Sequence, residues 1–221
     1  MERFEINGNS PSGLGARVFE ILRSDILDGK YKPGESLVEA KLSEKLGVSR
    51  TPIRDAIRQL GAEGLVKIVP NRGAVVKGIT SKDIKDIYKI RMLIEGMASR
   101  RAAENITPAE LDELRETVEL EGFYTEREDV EHLTRLDTKF HDILFRASNS
   151  QPLTHMLSTF HHYLQKARSA SMSVPGRALK VYGEHKAIFD AIEARDPDKA
   201  EMLTTKHITN ASMNIDSDAD I

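Results

Sequence analysis

Two short helical segments lie close together in the first third of the chain, and a tight turn separates them. The apolar pattern predicts one helix over Val38–Leu46, which ends at Gly47, and a second over Thr51–Glu63. Ser49 lies where a helix N-cap belongs, and Pro52 is acceptable because first-turn amides have no partner within the helix. Two short helices joined by a glycine-containing turn are the layout of a helix-turn-helix.

Two runs rich in β-branched residues follow the second helix. They span residues 65–69 and 74–77, and a Pro-Asn-Arg-Gly turn separates them, which predicts a β-hairpin. A hairpin directly after a helix-turn-helix is typical of a winged helix-turn-helix. A first helix over residues 14–29 completes this domain. We assign the domain to residues 12–78, after a polar and flexible arm at residues 1–11.

The rest of the chain, residues 79–215, shows helical periodicity and no strand pattern. Within it, Thr107-Pro108-Ala109-Glu110 forms a capping box with proline at the first helical position. The predicted fold is mainly α, a winged helix-turn-helix followed by an all-α antiparallel bundle of about six helices, and residues 216–221 are expected to fray. The bundle helices are expected near residues 81–103, after 107, and near 129–147, 152–171, 176–194 and 197–213.

The formal net charge of −3 hides a difference between these two parts. Residues 1–78 hold 13 Lys and Arg against 10 Asp and Glu, whereas residues 79–221 hold 19 against 25. A mildly basic part before an acidic one is what a nucleic-acid-binding module joined to a different kind of domain would show.

The residue types that are missing narrow the chemistry further. The chain has no cysteine, which excludes disulfides, thiolate metal sites and a cysteine nucleophile, and any metal must be held by nitrogen and oxygen. No apolar run approaches the ~18 residues of a membrane span, and the N-terminus lacks the apolar region of a signal peptide. We therefore expect a cytoplasmic protein that has no membrane partner.

The second short helix carries arginines along one arc and apolar residues along the next. Such a helix can bury its apolar arc and present guanidinium groups to the major groove of DNA. Ser49 and Thr51 add hydroxyl groups near the helix start, where phosphates or base edges bind. The arginines are Arg50, Arg54 and Arg58, and the apolar residues are Ile53, Ile57 and Leu60.

All seven histidines follow residue 130, and three of them lie on apolar helix faces. Asp137 interrupts the apolar face of its helix, and His141 lies four residues on, at the same side. A buried carboxylate is costly unless it is paired or binds a cation, and an Asp-x3-His pair can bring an oxygen and a nitrogen to one ion. His185 and His207 lie on the apolar faces of two other helices.

The first domain resembles the DNA-binding domain of the GntR family of bacterial transcriptional regulators. The resemblance implies that Arg50, Thr51 and Arg54 contact bases or phosphates, and that Arg72 and Gly73 at the wing tip enter the adjacent minor groove. It rests on PG at 33–34, LGVSRTPIRDAI at 46–57, EGL at 63–65 and RG at 72–73.

The second domain resembles the FCD-type ligand-binding domain that accompanies this DNA-binding domain in one GntR subfamily. The resemblance implies an all-helical effector domain in which Asp137, His141, His185 and His207 hold a divalent metal ion. Zn²⁺ is the favoured ion, and Ni²⁺ or a similar ion is the alternative. The other histidines are expected at surface or partly buried positions; they are His132, His155, His161 and His162.

Arg91 occupies a gap in the apolar face of the first bundle helix. One interpretation is an ion pair with Glu95 at i+4, which is worth only a few tenths of a kcal/mol if it is exposed. The other is a cation that clamps an acidic effector beside the metal. The sequence leaves both open.

Together these features predict a homodimeric regulator, not an enzyme. It would bind a palindromic operator, and a small organic or sugar acid would control its operator affinity from the helical domain. The resemblance implies that it acts as a repressor. One alternative is a metal-responsive regulator in which the ion itself is the signal. Another alternative is a metal-dependent hydrolase. Three features argue against a hydrolase: the chain has no His-Glu-x-x-His motif, it has no obvious second carboxylate to act as general base, and an enzyme would not need the winged domain.

Overall fold

The computed structural model describes residues 11–70 and 73–216, and the chain divides into two compact units, residues 1–80 and 81–221. The first unit has three helices and a three-stranded antiparallel sheet in the order β1-β3-β2. Its elements are α1 Pro11–Leu27, β1 Ser36–Leu37, α2 Glu39–Leu46, α3 Arg50–Ala62, β2 Val66–Val69 and β3 Gly73–Val76.

The turn between α2 and α3 forms as the sequence predicts. Gly47 adopts the left-handed conformation at φ 66°, which glycine reaches without strain, and α2 ends there. Ser49 occupies the N-cap position of α3 in an extended conformation, but its side chain makes no capping hydrogen bond. Helix α3 packs its apolar arc against α1, so its polar arc is left on the surface.

Strands β2 and β3 form the predicted hairpin, in a register that pairs Val66 with Val76 and Val69 with Gly73. The two-residue strand β1 was not predicted, because its residues carry no alternating pattern of their own. Leu37 of β1 pairs with Ala74 on the other edge of β3, and both side chains are buried.

The second unit is entirely helical over its described residues, 81–216, and has seven helices where about six were predicted. The additional helix arises because the predicted helix over 152–171 is interrupted at Leu164, where the local sequence has no glycine or proline to signal a break. The helices are α4 Ser81–Asn105, α5 Pro108–Thr125, α6 Val130–Ala147, α7 Gln151–Tyr163, α8 Gln165–Met172, α9 Arg177–Glu193 and α10 Pro197–Asp216.

The predicted capping box opens α5. The Glu110 amide donates to the Thr107 hydroxyl at 3.3 Å, and the Thr107 amide donates to the Glu110 carboxylate at 3.0 Å. The hydrophobic core of the second unit is built from the apolar faces of six helices, α4, α5, α6, α7, α9 and α10, and Phe140, Ile188 and Ile192 are fully buried. The mainly α fold with an N-terminal winged helix-turn-helix is thus confirmed. Within residues 11–70 and 73–216, no helix combines the length and the apolar character needed to cross a membrane.

Candidate functional site

The surface of α3 carries the predicted arginine arc. Ile53, Ile57 and Leu60 are at most 4 % exposed, so the helix is anchored on its apolar side. The arginines are exposed and line a groove of about 600 Å³ between α3 and the hairpin. Those that line it are Arg50, Arg54 and Arg58, opposite Ile68, Val69, Pro70 and Gly73 of the hairpin.

The predicted DNA-contacting residues at the start of α3 are all exposed: Ser49, Arg50, Thr51 and Arg54. Arg54 is held by a neighbour that the sequence did not reveal, because its Nε donates to Oε2 of Glu39 on α2 at 2.7 Å. Arg72 lies outside the described residues.

Gly73 begins β3 at the edge of the groove. Its φ is +92°, and a Cβ built there would lie 2.2 Å from the carbonyl oxygen of Leu37. This position therefore requires glycine both for its backbone conformation and for the close approach of β1.

In the second unit, the three predicted histidines converge at the centre of the bundle. The ligand atoms of His141, His185 and His207 lie within 4.8 Å of one another, and all three rings are buried. Oδ1 of Asp137 lies 3.7 Å from Nε2 of His185 and 4.0 Å from Nε2 of His141. The four residues predicted from sequence thus lie together in the interior.

Each of these imidazoles has a carboxylate at its other nitrogen. Nδ1 of His185 lies 2.9 Å from Glu121, Nδ1 of His207 lies 2.7 Å from Glu184, and Nδ1 of His141 lies 3.2 Å from Glu95, the last without hydrogen-bond alignment. In His185 and His207 the carboxylate accepts from Nδ1, so Nε2 is the nitrogen that faces the interior and would bind a cation, as in metal-binding histidines.

The site fits a divalent cation on its own geometry. Nε2 of His185 is buried and has no hydrogen-bond partner among the described residues. A buried polar atom without a partner lowers the stability of the fold, so a further group is expected to bind there. Burial lowers the pKa of His141 to about 4 and also lowers the pKa of His207, so both rings are neutral at pH 7 and able to donate lone pairs. Burial also opposes the charged form of His185, but the carboxylates of Glu121, Asp137 and Glu184 together outweigh it and raise the pKa of this ring.

A second cluster, which we call the arginine cluster, lies beside the histidines and consists of Arg91, Glu95, His161 and Arg168. The predicted Arg91–Glu95 ion pair forms, and both side chains are at most 2 % exposed, so the small contribution expected of an exposed pair does not apply to it. Arg168 pairs with Asp137, and this cation outweighs burial to hold the pKa of Asp137 well below its usual range. The cluster therefore shares a carboxylate with the histidine site.

His161 was predicted at the surface or partly buried, but it is only 3 % exposed and lies between the two arginines. Its Nδ1 lies 2.8 Å from Nη1 of Arg168, and its Nε2 lies 3.0 Å from Nη2 of Arg91. Burial and the two cations keep its pKa well below the usual value, so the ring is neutral and can accept at one nitrogen only. One guanidinium N–H group therefore faces an N–H group of the ring.

Arg91 is left with an unused donor. Its Nη1 is buried and has no hydrogen-bond partner within the described part of the chain. A cavity of about 30 Å³, roughly the volume of one water molecule, lies between this guanidinium and the histidines. Its lining includes Tyr88, Arg91, Asp137, His141, Arg168, Arg177 and His207.

Two further carboxylates, Glu95 and Glu121, are buried beside the histidines and were not among the predicted site residues. A signal for Glu121 exists in the sequence, because it continues the buried face of α5 after Leu114 and Val118 at helical spacing. Glu95 was noted only as a partner of Arg91. Arg168 gave no such signal, because its place depends on the break at Leu164.

The winged helix with an exposed arginine arc, joined to a bundle that holds buried histidines and carboxylates, defines a DNA-binding protein with a separate helical domain. Comparison with known families agrees with this class. Residues 14–76 match the gntR family of bacterial regulatory proteins, and residues 86–210, more than half of the chain, match the FCD domain. The chain belongs to the GntR family, in its FCD group, and it is a DNA-binding transcriptional regulator rather than an enzyme.

Individual relatives extend over both domains. The chain is 29 % identical to the uncharacterized HTH-type transcriptional regulator YdhC of Bacillus subtilis, over 95 % of this chain and 93 % of the relative. It is 28 % identical to the HTH-type transcriptional repressor RspR of Escherichia coli, over 96 % and 92 %. The solved structure of E. coli McbR/YncC has the same fold, with a TM-score of 0.76 at 23 % identity, over 94 % of this chain and 99 % of that one.

Proposed function

We propose that this regulator is a homodimeric repressor whose affinity for a palindromic operator is controlled by a small organic or sugar acid. The acid binds beside a divalent metal ion in the helical domain. One observation carries the proposal: three buried histidines, each backed by a carboxylate, converge next to a buried guanidinium with an unused donor. The names of two relatives, RspR and a probable D-xylose utilization operon repressor of Paenarthrobacter nicotinovorans, favour repression.

Asp137, His141, His185 and His207 would hold the metal. Three imidazoles and one carboxylate suit Zn²⁺, with Ni²⁺ or a similar ion as the alternative, and the chain offers no thiolate. When bound, the ion supplies a Lewis-acid position that takes a carboxylate oxygen of the effector. Glu121 orients the ring of His185, and Glu184 orients the ring of His207. Burial keeps the rings of His141 and His207 neutral, so that each can donate a lone pair.

Arg91 would bind the acid beside the metal. An anionic oxygen at Nη1 would give this buried nitrogen the acceptor that it lacks. The cavity of about 30 Å³ has room for an ion or a water molecule, so a larger organic acid would have to displace part of its lining. That coupling between entry and movement is what an effector site requires.

In the first unit, the operator would lie along α3 and the hairpin. Ser49, Arg50, Thr51 and Arg54 would contact bases or phosphates in the major groove, and Arg72 and Gly73 would contact the adjacent minor groove. The phosphate contacts would make operator affinity fall steeply as salt rises.

Helix α4 offers a surface for the partner subunit. Ile90, Leu93 and Met97 recur at helical spacing and are 40 %, 74 % and 48 % exposed, an apolar stripe that a second copy would cover. A two-fold dimer would match a two-fold operator. The acid would change operator affinity only by binding one arrangement of the dimer more tightly than the other.

The deciding experiment combines metal analysis with operator binding. Purified protein is dialysed and its metal content measured, for the wild type, for His185→Ala, and for His155→Ala as an exposed control. We expect one divalent ion per chain in the wild type and the control, and a strong loss in His185→Ala. The absence of a stoichiometric ion from the wild type would overturn the metal site.

Operator affinity is then titrated with metal alone and with metal plus a panel of carboxylic and sugar acids. We expect release from DNA only with an acid present, and loss of that response in Arg91→Met. If metal alone releases the DNA, the ion itself is the signal. Turnover of any acid in the panel would contradict the regulator reading of the site.

A further inference from the structure

An acidic side chain lines the groove that α3 shares with the hairpin. Glu39 is the first residue of α2, and its Oε2 accepts from Nε of Arg54 at 2.7 Å. The two side chains are 28 % and 54 % exposed, so the pair remains open to the groove. The negative charge of this carboxylate would oppose the binding of a phosphate backbone in the groove.

Helix stability does not account for the contact between the two helices. An acidic residue in the first turn of α2 is favourable because the helix dipole places positive charge there. That effect needs only the position of Glu39 and not its hydrogen bond to α3. An exposed ion pair also contributes little to folding. The contact is better explained by what it does to Arg54.

The hydrogen bond engages Nε and leaves the two terminal nitrogens of Arg54 outside it. A guanidinium group is planar, so fixing Nε restricts the plane in which the terminal nitrogens lie. Those two nitrogens form the fork that binds O6 and N7 of guanine. The carboxylate also offsets the charge that would draw Arg54 to any phosphate.

We propose that Glu39 is a positioning residue that directs Arg54 toward a base edge, and that it raises sequence discrimination while lowering non-specific DNA affinity. This inference rests on the proposed role of Arg54 in DNA contact. It predicts that removing the charge of Glu39 changes affinity in opposite directions for the operator and for unrelated DNA.

The experiment uses the full chain and two duplexes of equal length. One duplex is selected by the wild-type protein from a random-sequence library, and the other has an unrelated sequence. Binding of both is measured at one salt concentration for the wild type, Glu39→Gln, Arg54→Ala and the double variant. Thermal unfolding by circular dichroism verifies that each variant is folded.

Glu39→Gln should bind the unrelated duplex more tightly and the selected duplex more weakly. The ratio of the two affinities should fall by roughly 5- to 150-fold, the range for one bidentate arginine–guanine contact. In the Arg54→Ala background the same substitution should leave the ratio unchanged. A repeat selection with Glu39→Gln should broaden the base preference at one operator position.

Glu44→Gln is the matched control, because it removes the same charge from the same helix at an exposed position outside the groove. It should change both affinities by the same factor. An unchanged ratio in Glu39→Gln would overturn the inference. An equal fall of the ratio in the Arg54→Ala background would also overturn it, because Glu39 would then contact a base itself. If Arg54→Ala leaves the selected duplex fully bound, the proposed role of Arg54 fails instead.

Discussion

Nδ1 of His185 lies 2.9 Å from Oε1 and 3.0 Å from Oε2 of Glu121, and both side chains are buried. The two residues come from different helices, α9 and α5, so this contact fixes the ring plane across the bundle. With Nδ1 bound to the carboxylate, Nε2 is turned toward Asp137, at 3.7 Å from its Oδ1. Glu121 thus sets which nitrogen of His185 is available to a cation.

Replacing Glu121 by glutamine should weaken metal binding without unfolding the chain. The amide oxygen can still accept from Nδ1, but the negative charge that makes the ring a stronger ligand is lost. Carboxylates in this position are worth about 10- to 100-fold in metal affinity. Competition with a chromophoric Zn²⁺ chelator would measure the change. Glu119→Gln, an exposed position on the same helix, should leave the affinity unaltered.

Acid should destabilise the metal-free protein between about pH 6.5 and pH 4. Burial lowers the pKa of His141 to about 4, and the pKa values of His161 and His207 are lowered as well. An unfolded histidine titrates near 6.5, so in this window the unfolded chain binds more protons than the folded one, and stability falls as the pH drops. For His141 alone the loss is at most about 3 kcal/mol.

Urea unfolding at a series of pH values, in the presence of a chelator, would measure this dependence. His141→Gln should flatten it, because one group that titrates only after unfolding has been removed. His185 acts with the opposite sign, since Glu121 raises its pKa. A stability that rises on acidification would show that His185 dominates and that the sign expected here is wrong.

Much of this architecture follows from residue spacing. The helical period alone places Asp137 and His141 on one buried face of α6, and that face points to the interior in the structure. Gly47 and the β-branched runs predict the turn and the hairpin, because their effects are local. The contacts between side chains on different helices could not be predicted in this way. Which carboxylate meets which histidine depends on how α4, α5, α6 and α9 pack, and one sequence does not encode that in any local pattern.

His161 shows what helical spacing can and cannot predict about a buried residue. It follows Leu157 at helical spacing, and both are buried on the same face of α7, so the period could have placed it inside. What the period does not give is its partner Arg168, which reaches it from α8, after the break at Leu164. Without that partner a buried histidine is only one of several interpretations.

Gly73→Ala should destabilise the first unit and weaken DNA binding. The residue has a φ of +92°, and the added Cβ would lie 2.2 Å from the carbonyl oxygen of Leu37, so strand β1 must move. Strain of this kind costs roughly 1–3 kcal/mol. Gly15→Ala is the control, because Gly15 lies inside α1 and a Cβ there would make only an ordinary contact at 3.9 Å. That substitution should stabilise α1 by up to about 1 kcal/mol.

Thermal unfolding and duplex binding of both glycine variants would test this prediction. If Gly73→Ala were as stable as the wild type and still bound DNA less tightly, the role of Gly73 would be contact with DNA and not the geometry of the wing.

Arg91→Met should be far more destabilising than the loss of an ordinary surface ion pair. Both Arg91 and Glu95 are buried, so removing the cation leaves the Glu95 carboxylate in the interior with only neutral histidines beside it, and losing such a cation costs up to about 3–5 kcal/mol. Adding Glu95→Gln should recover part of that loss, because no full charge then remains unpaired. Lys186→Met, which breaks the half-exposed pair with Asp190 on α9, should cost less than about 1 kcal/mol. Urea unfolding of the two single variants and the double variant gives the coupling energy, and losses that simply add would mean that Arg91 and Glu95 do not stabilise each other.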